Sequence, residues 1–239
     1  MFFYDPTFLC FLIPSIILGL IAQGAVNSKF KKFSKIRTFR GLTGAQAARQ
    51  ILDTNGLYDV TIEETQGKLS DHYDPRTRTL RLSTQVARQP SVAAVGIAAH
   101  EAGHALQHAQ GYKALKLRST MVPAVNFSSR LAPLLIMGGI MLEIFFRNSQ
   151  GIGSLGIAIA WIGVIGYGLA ALFSFVTLPV ELDASSRAKK LLYQYNIVDK
   201  QELAGVTSVL NAAAWTYVVA AIAAILQLAY WILRLSSRR

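Results

Sequence analysis

Four apolar stretches limit what this chain can become. They run over about Phe8–Val26, Leu131–Phe146, Gly151–Val180 and Ala212–Leu233. A helix of roughly 20 apolar residues satisfies its own backbone hydrogen bonds and crosses the hydrocarbon of a bilayer. Composition agrees: 52% of residues are hydrophobic and only 15% are charged, which is too apolar for an ordinary soluble domain. The first run has Asp5 as its sole preceding charge and no small-residue cleavage site, so it reads as an uncleaved anchor. The second is short for a span and has Pro133 near its start. The third is rich in glycine. The fourth carries Trp215, Tyr217, Tyr230 and Trp231 near its two ends, where interfacial aromatics usually sit. The expected fold is a mainly α membrane protein of about four transmembrane helices plus a small α+β domain.

Four spans place residues 27–130 and 181–211 on one side and the N-terminus, the 147–150 turn and the C-terminus on the other. Of the 24 Lys and Arg, 20 fall on the first side, which the positive-inside tendency makes cytoplasmic. Arg234, Arg238 and Arg239 dissent. The net charge of +11 then reads as loops facing an anionic leaflet, and nucleic acid is not expected, because no recognition motif accompanies the charge. The lone cysteine, Cys10, excludes an intrachain disulfide and a cysteine zinc cage.

The chain divides into an anchor (1–26), an α+β part (27–130), a membrane hairpin (131–180), a short helical segment (181–211), and a last span with a basic tail (212–239). "NSKFKKFSKIRTFRG" after the anchor reads either as an amphipathic helix in the headgroup layer or as a solvated basic linker. In "LTGAQAARQILDTNGL", Thr43 suits an N-cap, Ala47, Ala48, Ile51 and Leu52 share a face, and Asn55-Gly56 is a stop. "VTIEE" alternates like a strand. "GKLSDHYDPRTRTLRLS" reads as a hairpin, with strands near Leu69–Tyr73 and at Thr79–Ser83 and a turn at Asp74-Pro75-Arg76, so a small antiparallel sheet is expected.

The chemistry is concentrated in "VAAVGIAAHEAGHALQHAQGY", Val92–Tyr112, which holds three of the four histidines. His100-Glu101-Ala102-Gly103-His104 is an H-E-x-x-H pattern. Residues four apart share a helix face, so two imidazoles can grip one ion, and Glu101, one step round, can reach a water without binding the metal. Ala102 and Gly103 leave room for close packing. His108 lies about 12 Å along the axis from His100, too far to share the ion comfortably. His72 reads as an exposed or turn-bonding residue. The third ligand is therefore expected to be a carboxylate, completing a His₂Glu-type catalytic set. Glu181 and Asp183 in "TLPVELDASSRAKKLLYQY" are the candidates, since Glu143 falls on the far side and Glu63, Glu64 and Glu202 have ordinary polar settings.

"AAHEAGHALQHAQGY", with "LSDHYDPRTRTLRLS" upstream and "PVELDASSRA" downstream, resembles the bacterial neutral zinc metallopeptidase family, the YugP-like membrane proteins, from about Gly41 to Tyr217. More distantly it is similar to HtpX-type gluzincin membrane proteases, in which a membrane hairpin separates H-E-x-x-H from a helix with an E-x-x-A-D pattern. That resemblance implies one catalytic Zn²⁺ held by His100, His104 and Glu181, with Ala184 matching the pattern's Ala and Ser185 standing where it has Asp. It leaves Asp183, two residues early, or no carboxylate at all, to orient a ligand histidine.

The implied activity is a zinc-dependent endopeptidase of a bacterial cell membrane. Its site faces the cytoplasm, its general base is Glu101, and its substrates are membrane or membrane-adjacent polypeptides. Arg187 is the first candidate for stabilising the oxyanion, with Tyr193 or Tyr195 as alternatives, and Thr79–Ser83 is a candidate strand for pairing with substrate. Two other readings use the same residues: a site-2-type intramembrane protease with Asp183 as the third ligand, and a membrane scaffold whose zinc is structural. Against the first, the apolar lead Val92–Ala99 is eight residues long, far short of a span.

Overall fold

The computed structural model describes residues 6–67, 70–146, 149 and 151–237. Asp5, Leu69, Arg238 and Arg239, and most of the 147–150 turn, lie outside the described residues. The chain is mainly helical, with helices α1 (Pro6–Phe33), α2 (Gly44–Thr54), α3 (Thr84–Arg88), α4 (Val92–Ala109), α5 (Lys113–Phe145), α6 (Ile152–Gln194) and α7 (Lys200–Ser236), and strands β1 (Thr61–Thr65), β2 (His72–Asp74) and β3 (Thr79–Ser83). Helices α1, α5, α6 and α7 are long and apolar enough to cross a membrane. The residues form two compact units. One holds the chain up to Leu20, Leu117–Thr177, and the chain from Tyr217 onward; the other holds Ile21–Lys116 and Leu178–Thr216.

In the first unit the glycines of the third apolar stretch have a packing role. A Cβ on Gly163 would lie 2.8 Å from the Ala132 carbonyl oxygen and 2.6 Å from Ile136 Cγ1, and one on Gly166 would lie 3.1 Å from Ala132 Cβ. Only small residues let two backbones come this close, and in lipid such contact is a main source of helix association. The contact reaches Ser128, because α5 extends well before the apolar run that begins at Leu131, with Pro123 and Pro133 inside it. Tyr230 and Trp231 are buried against neighbouring side chains. They are 1% and 6% exposed, and Tyr230 packs against Phe8 and Phe11 with ring centroids 5.1 and 6.0 Å away. Trp215, half exposed, keeps an open position.

In the second unit α2 starts as expected. Thr43 Oγ1 accepts from Gln46 N at 3.2 Å and Gln46 Oε1 accepts from Thr43 N at 2.9 Å, a reciprocal capping box. Asn55 caps its end and Gly56 follows at φ +76°, a conformation glycine adopts without strain. The sheet differs from the expected antiparallel one. Its order is β1-β3-β2, with β1 parallel and β2 antiparallel to β3. Leu80 and Leu82 of β3 are fully buried whereas β1 is largely exposed, so the apolar strand takes the centre and the polar strand an edge. Strand β3 is thus the central strand, paired along its length with β1 and over Thr79–Arg81 with β2.

The basic stretch begins as helix and ends as a loop, with its Lys and Arg side chains exposed. Helix α1 continues through it to Phe33, and Phe30 and Phe33 pack on the core of this unit. The following loop is tied down by Thr38 N donating to Pro90 O (2.9 Å), Val92 N to Ile36 O (2.9 Å) and Phe39 N to Glu202 Oε1 (2.5 Å).

Gly163→Val should destabilise detergent-solubilised protein by about 1–3 kcal/mol through overpacking, read as a lowered midpoint of thermal unfolding. Gly138→Ala, where a Cβ meets nothing within 4 Å, should leave that midpoint unchanged.

Candidate metal centre

Helix α4 begins at Ser91, whose Oγ accepts from Ala94 N at 3.2 Å, and runs through the middle of its unit. Val92, Ala93, Ala94, Val95, Ala98 and Ala99 are all buried, as expected of a helix that is apolar all round. Its small residues allow neighbours to approach closely. A Cβ on Gly103 would lie 2.8 Å from the Ala184 carbonyl oxygen and 3.3 Å from the Ala184 Cα. Helices α4 and α6 therefore touch backbone to backbone inside the H-E-x-x-H segment. On α6 the buried face consists of Val180, Glu181, Ala184, Ser185, Ala188 and Leu192, so the crossing that seats Ala184 on Gly103 also turns Glu181 towards the histidines.

The Glu181 carboxylate oxygen Oε2 lies 3.2 Å from His100 Nε2 and 3.5 Å from His104 Nε2. The three potential ligand atoms lie within 4.8 Å of one another. Glu181 is 2% and His104 7% exposed, and the two rings meet edge to face at 84°. Burial opposes the charged form of His104, yet the hydrogen bond to Glu181 and the charge of Glu101 outweigh it and hold the His104 pKa above the usual histidine value. This pocket favours positive charge, and a divalent cation meets the same demand.

The outer ring nitrogens are also held. His104 Nδ1 donates to Gln107 Oε1 at 2.9 Å; the amide oxygen can only accept, so Nδ1 carries a proton and Nε2, facing Glu181, is the nitrogen that would bind a metal. Gln107, fully buried, donates to Val180 O at 2.8 Å and to Asp183 Oδ2 at 2.7 Å. His100 Nδ1 meets Ser185 Oγ at 3.1 Å. Ser185, in the place of the pattern's Asp, thus contacts one candidate ligand histidine directly, and Asp183 reaches the other through Gln107.

Glu101 is 8% exposed and makes no hydrogen bond to another described side chain. Its charge also acts on Asp71, whose pKa is raised by burial first, while Ser83 N and Oγ (2.7 and 3.0 Å) pull it down. The structure places Arg187 in the supporting network. Its Nε donates to Asp183 Oδ2 and its Nη1 to Gln110 Oε1, both at 2.5 Å, and its guanidinium lies 6.0 Å from the centre of the Tyr112 ring. Of the alternatives to it, Tyr193 is exposed and Tyr195 accepts from Asn55 Nδ2 at 3.1 Å. His72 is exposed and bonded to Ser70 O. Glu63 and Glu64 pair with Arg81 and Arg88, ordinary solvated contacts. His108 Nδ1 lies 2.9 Å from the Tyr73 hydroxyl.

Reading the motif alone misses Gln107, although its place three residues after His104 on the same helix face was a usable signal.

The family described as "Putative neutral zinc metallopeptidase" matches residues 8–236. The chain belongs to that family. It is also 45% identical over 221 residues to a Bacillus subtilis (strain 168) protein named "Putative membrane protease YugP", covering 92% of this chain and 93% of that one. No solved structure gives a significant match. The chain is thus a membrane protein of a zinc metallopeptidase family, and a buried pair of imidazoles with one carboxylate is a donor set that fits zinc.

Gln107→Leu should weaken zinc binding by about 10–100-fold, the usual result of removing a partner that orients a ligand histidine. A competitive chelator titration measures it, and unchanged affinity would contradict the orienting role.

Proposed function

We propose that this protein is a zinc-dependent endopeptidase. The observation that carries the reading is the convergence of His100, His104 and Glu181 from two helices, with a buried Glu101 beside them to which no described side chain hydrogen-bonds. Three protein ligands leave a coordination position for chemistry, whereas a structural zinc site is closed by four; no fourth candidate joins this group among the described residues. Asp183 is bonded by Gln107 and Arg187 instead, which favours Glu181 over Asp183 as the third ligand.

When bound, zinc lowers the pKa of a water towards about 7 and polarises the scissile carbonyl. Glu101 accepts the proton of the attacking water on its carboxylate and delivers it to the leaving amine. Gln107 and Ser185 keep the two imidazoles aimed. Arg187 is best read as a positioning residue, since it holds Asp183, which holds Gln107. An extended substrate is placed along β2, the edge strand that runs against α4, through main-chain hydrogen bonds.

The positive-inside distribution supports a site on the cytoplasmic side. A site anchored to a bilayer meets membrane and membrane-adjacent chains at high effective concentration, which supports those as substrates.

Glu101→Gln should keep one zinc per chain and lose activity by about 10²–10⁴-fold. Glu181→Gln should lose zinc and Asp183→Asn should retain it, both read by metal analysis of purified protein. Full activity in the Glu101 variant would sink the catalytic assignment. Zinc lost from the Asp183 variant but kept by the Glu181 variant would favour the intramembrane type of site.

A further inference from the structure

His108 is the one histidine of α4 outside the candidate metal set, and it is half-buried rather than enclosed. It follows His104 by one helical turn, so it stands on nearly the same face about 6 Å further along the axis. Its partner Tyr73 lies on β2, opposite Leu80 of β3, on the side of the sheet packed on the core. The two rings are 5.9 Å apart. The pair therefore joins the metal-motif helix to the strand whose outer edge is unpaired.

The contact engages Nδ1 of the His108 ring with the Tyr73 hydroxyl. Burial raises the Tyr73 pKa, so the phenol keeps its proton. Among the described residues the hydroxyl's hydrogen-bond partner is His108 Nδ1, at 2.9 Å. With Nδ1 accepting, the ring proton is on Nε2, where the ring has no other described partner. Tyr73 thus takes up Nδ1 and leaves Nε2 as the ring nitrogen available to a further partner.

We propose that His108, with Nδ1 engaged by Tyr73, donates a hydrogen bond from Nε2 to a backbone carbonyl of the substrate away from the scissile bond. The inference rests on the peptidase reading and adds a substrate-binding group to it. An extended chain advances about 3.3 Å per residue, so a substrate running along α4 would meet a donor about 6 Å from His104 roughly two residues from the reacting carbonyl. A bond at that distance is made equally in the ground state and the transition state, so it lowers KM without changing kcat.

The test uses full-length protein in detergent micelles, with initial rates of fluorescein-labelled casein cleavage and zinc content measured on the same samples. His108→Phe should raise KM about tenfold, the worth of one good hydrogen bond, with kcat within about twofold and zinc unchanged. His108→Gln, which keeps an amide donor, should regain part of that loss, and Tyr73→Phe should raise KM about threefold. An unchanged KM in His108→Phe would overturn the proposal. So would a fall in kcat at constant KM, which places the group at the reacting carbonyl, or a loss of zinc, which makes it a support of the metal ligands. Wild-type protein that holds zinc yet cleaves no casein would overturn the peptidase reading itself, and this inference with it.

Discussion

The contact between Gly103 and Ala184 governs the whole site. Two backbones can approach this closely only where neither helix carries a side chain at the crossing, and here the crossing falls between the two histidines and one turn from Glu181. Any larger residue at position 103 would meet the Ala184 carbonyl and push the carboxylate off the imidazoles. The small residues of α4 thus shape the candidate metal site. They set a spacing that the ligands themselves cannot set, because ligands from different helices converge only as far as their backbones allow.

Around that contact the protein places a chain of buried polar groups with little slack. Gln107 is fully buried and uses its oxygen and two amide hydrogens on His104, Val180 and Asp183. A buried amide with all of these bonds made has one orientation, and so does the ring it holds. Arg187 and Gln110 extend the network to where it is more exposed. A carboxylate directly on the ligand histidine would add negative charge beside Glu181 and Glu101. Ser185 and Gln107 hold the rings with neutral groups, and the charge of Asp183 is kept one bond further away and countered by Arg187.

The apolar helices follow a related logic with different residues. Gly163, Gly166 and Ala132 let α5 and α6 meet closely, while Phe8, Phe11 and Tyr230 fill a wider space elsewhere in that unit. Hydropathy identified these helices because a bilayer demands uniform apolarity along a span. It could not foresee the burial of Tyr230 and Trp231, since an aromatic near the end of a span looks the same whether it faces the headgroups or another helix.

What the chain's residues declare unaided is whatever depends on neighbours along it. The four apolar helices, the Thr43 cap, the glycine after α2 and the pairing of His100 with His104 are set by spacings of a few residues, where helix geometry leaves little freedom. Residues on separate segments were less legible. The central place of β3 depends on which strand buries its leucines, the course of the basic stretch on Phe30 and Phe33 finding a core, and the surroundings of His108 on a strand some 35 residues earlier. Glu181 and Asp183 both looked like ligands because they sit two residues apart in one acidic segment. Only the crossing of α4 over α6 separates them, since a rotation of about 200° between residues two apart on a helix aims one carboxylate at the imidazoles and leaves the other to Gln107 and Arg187.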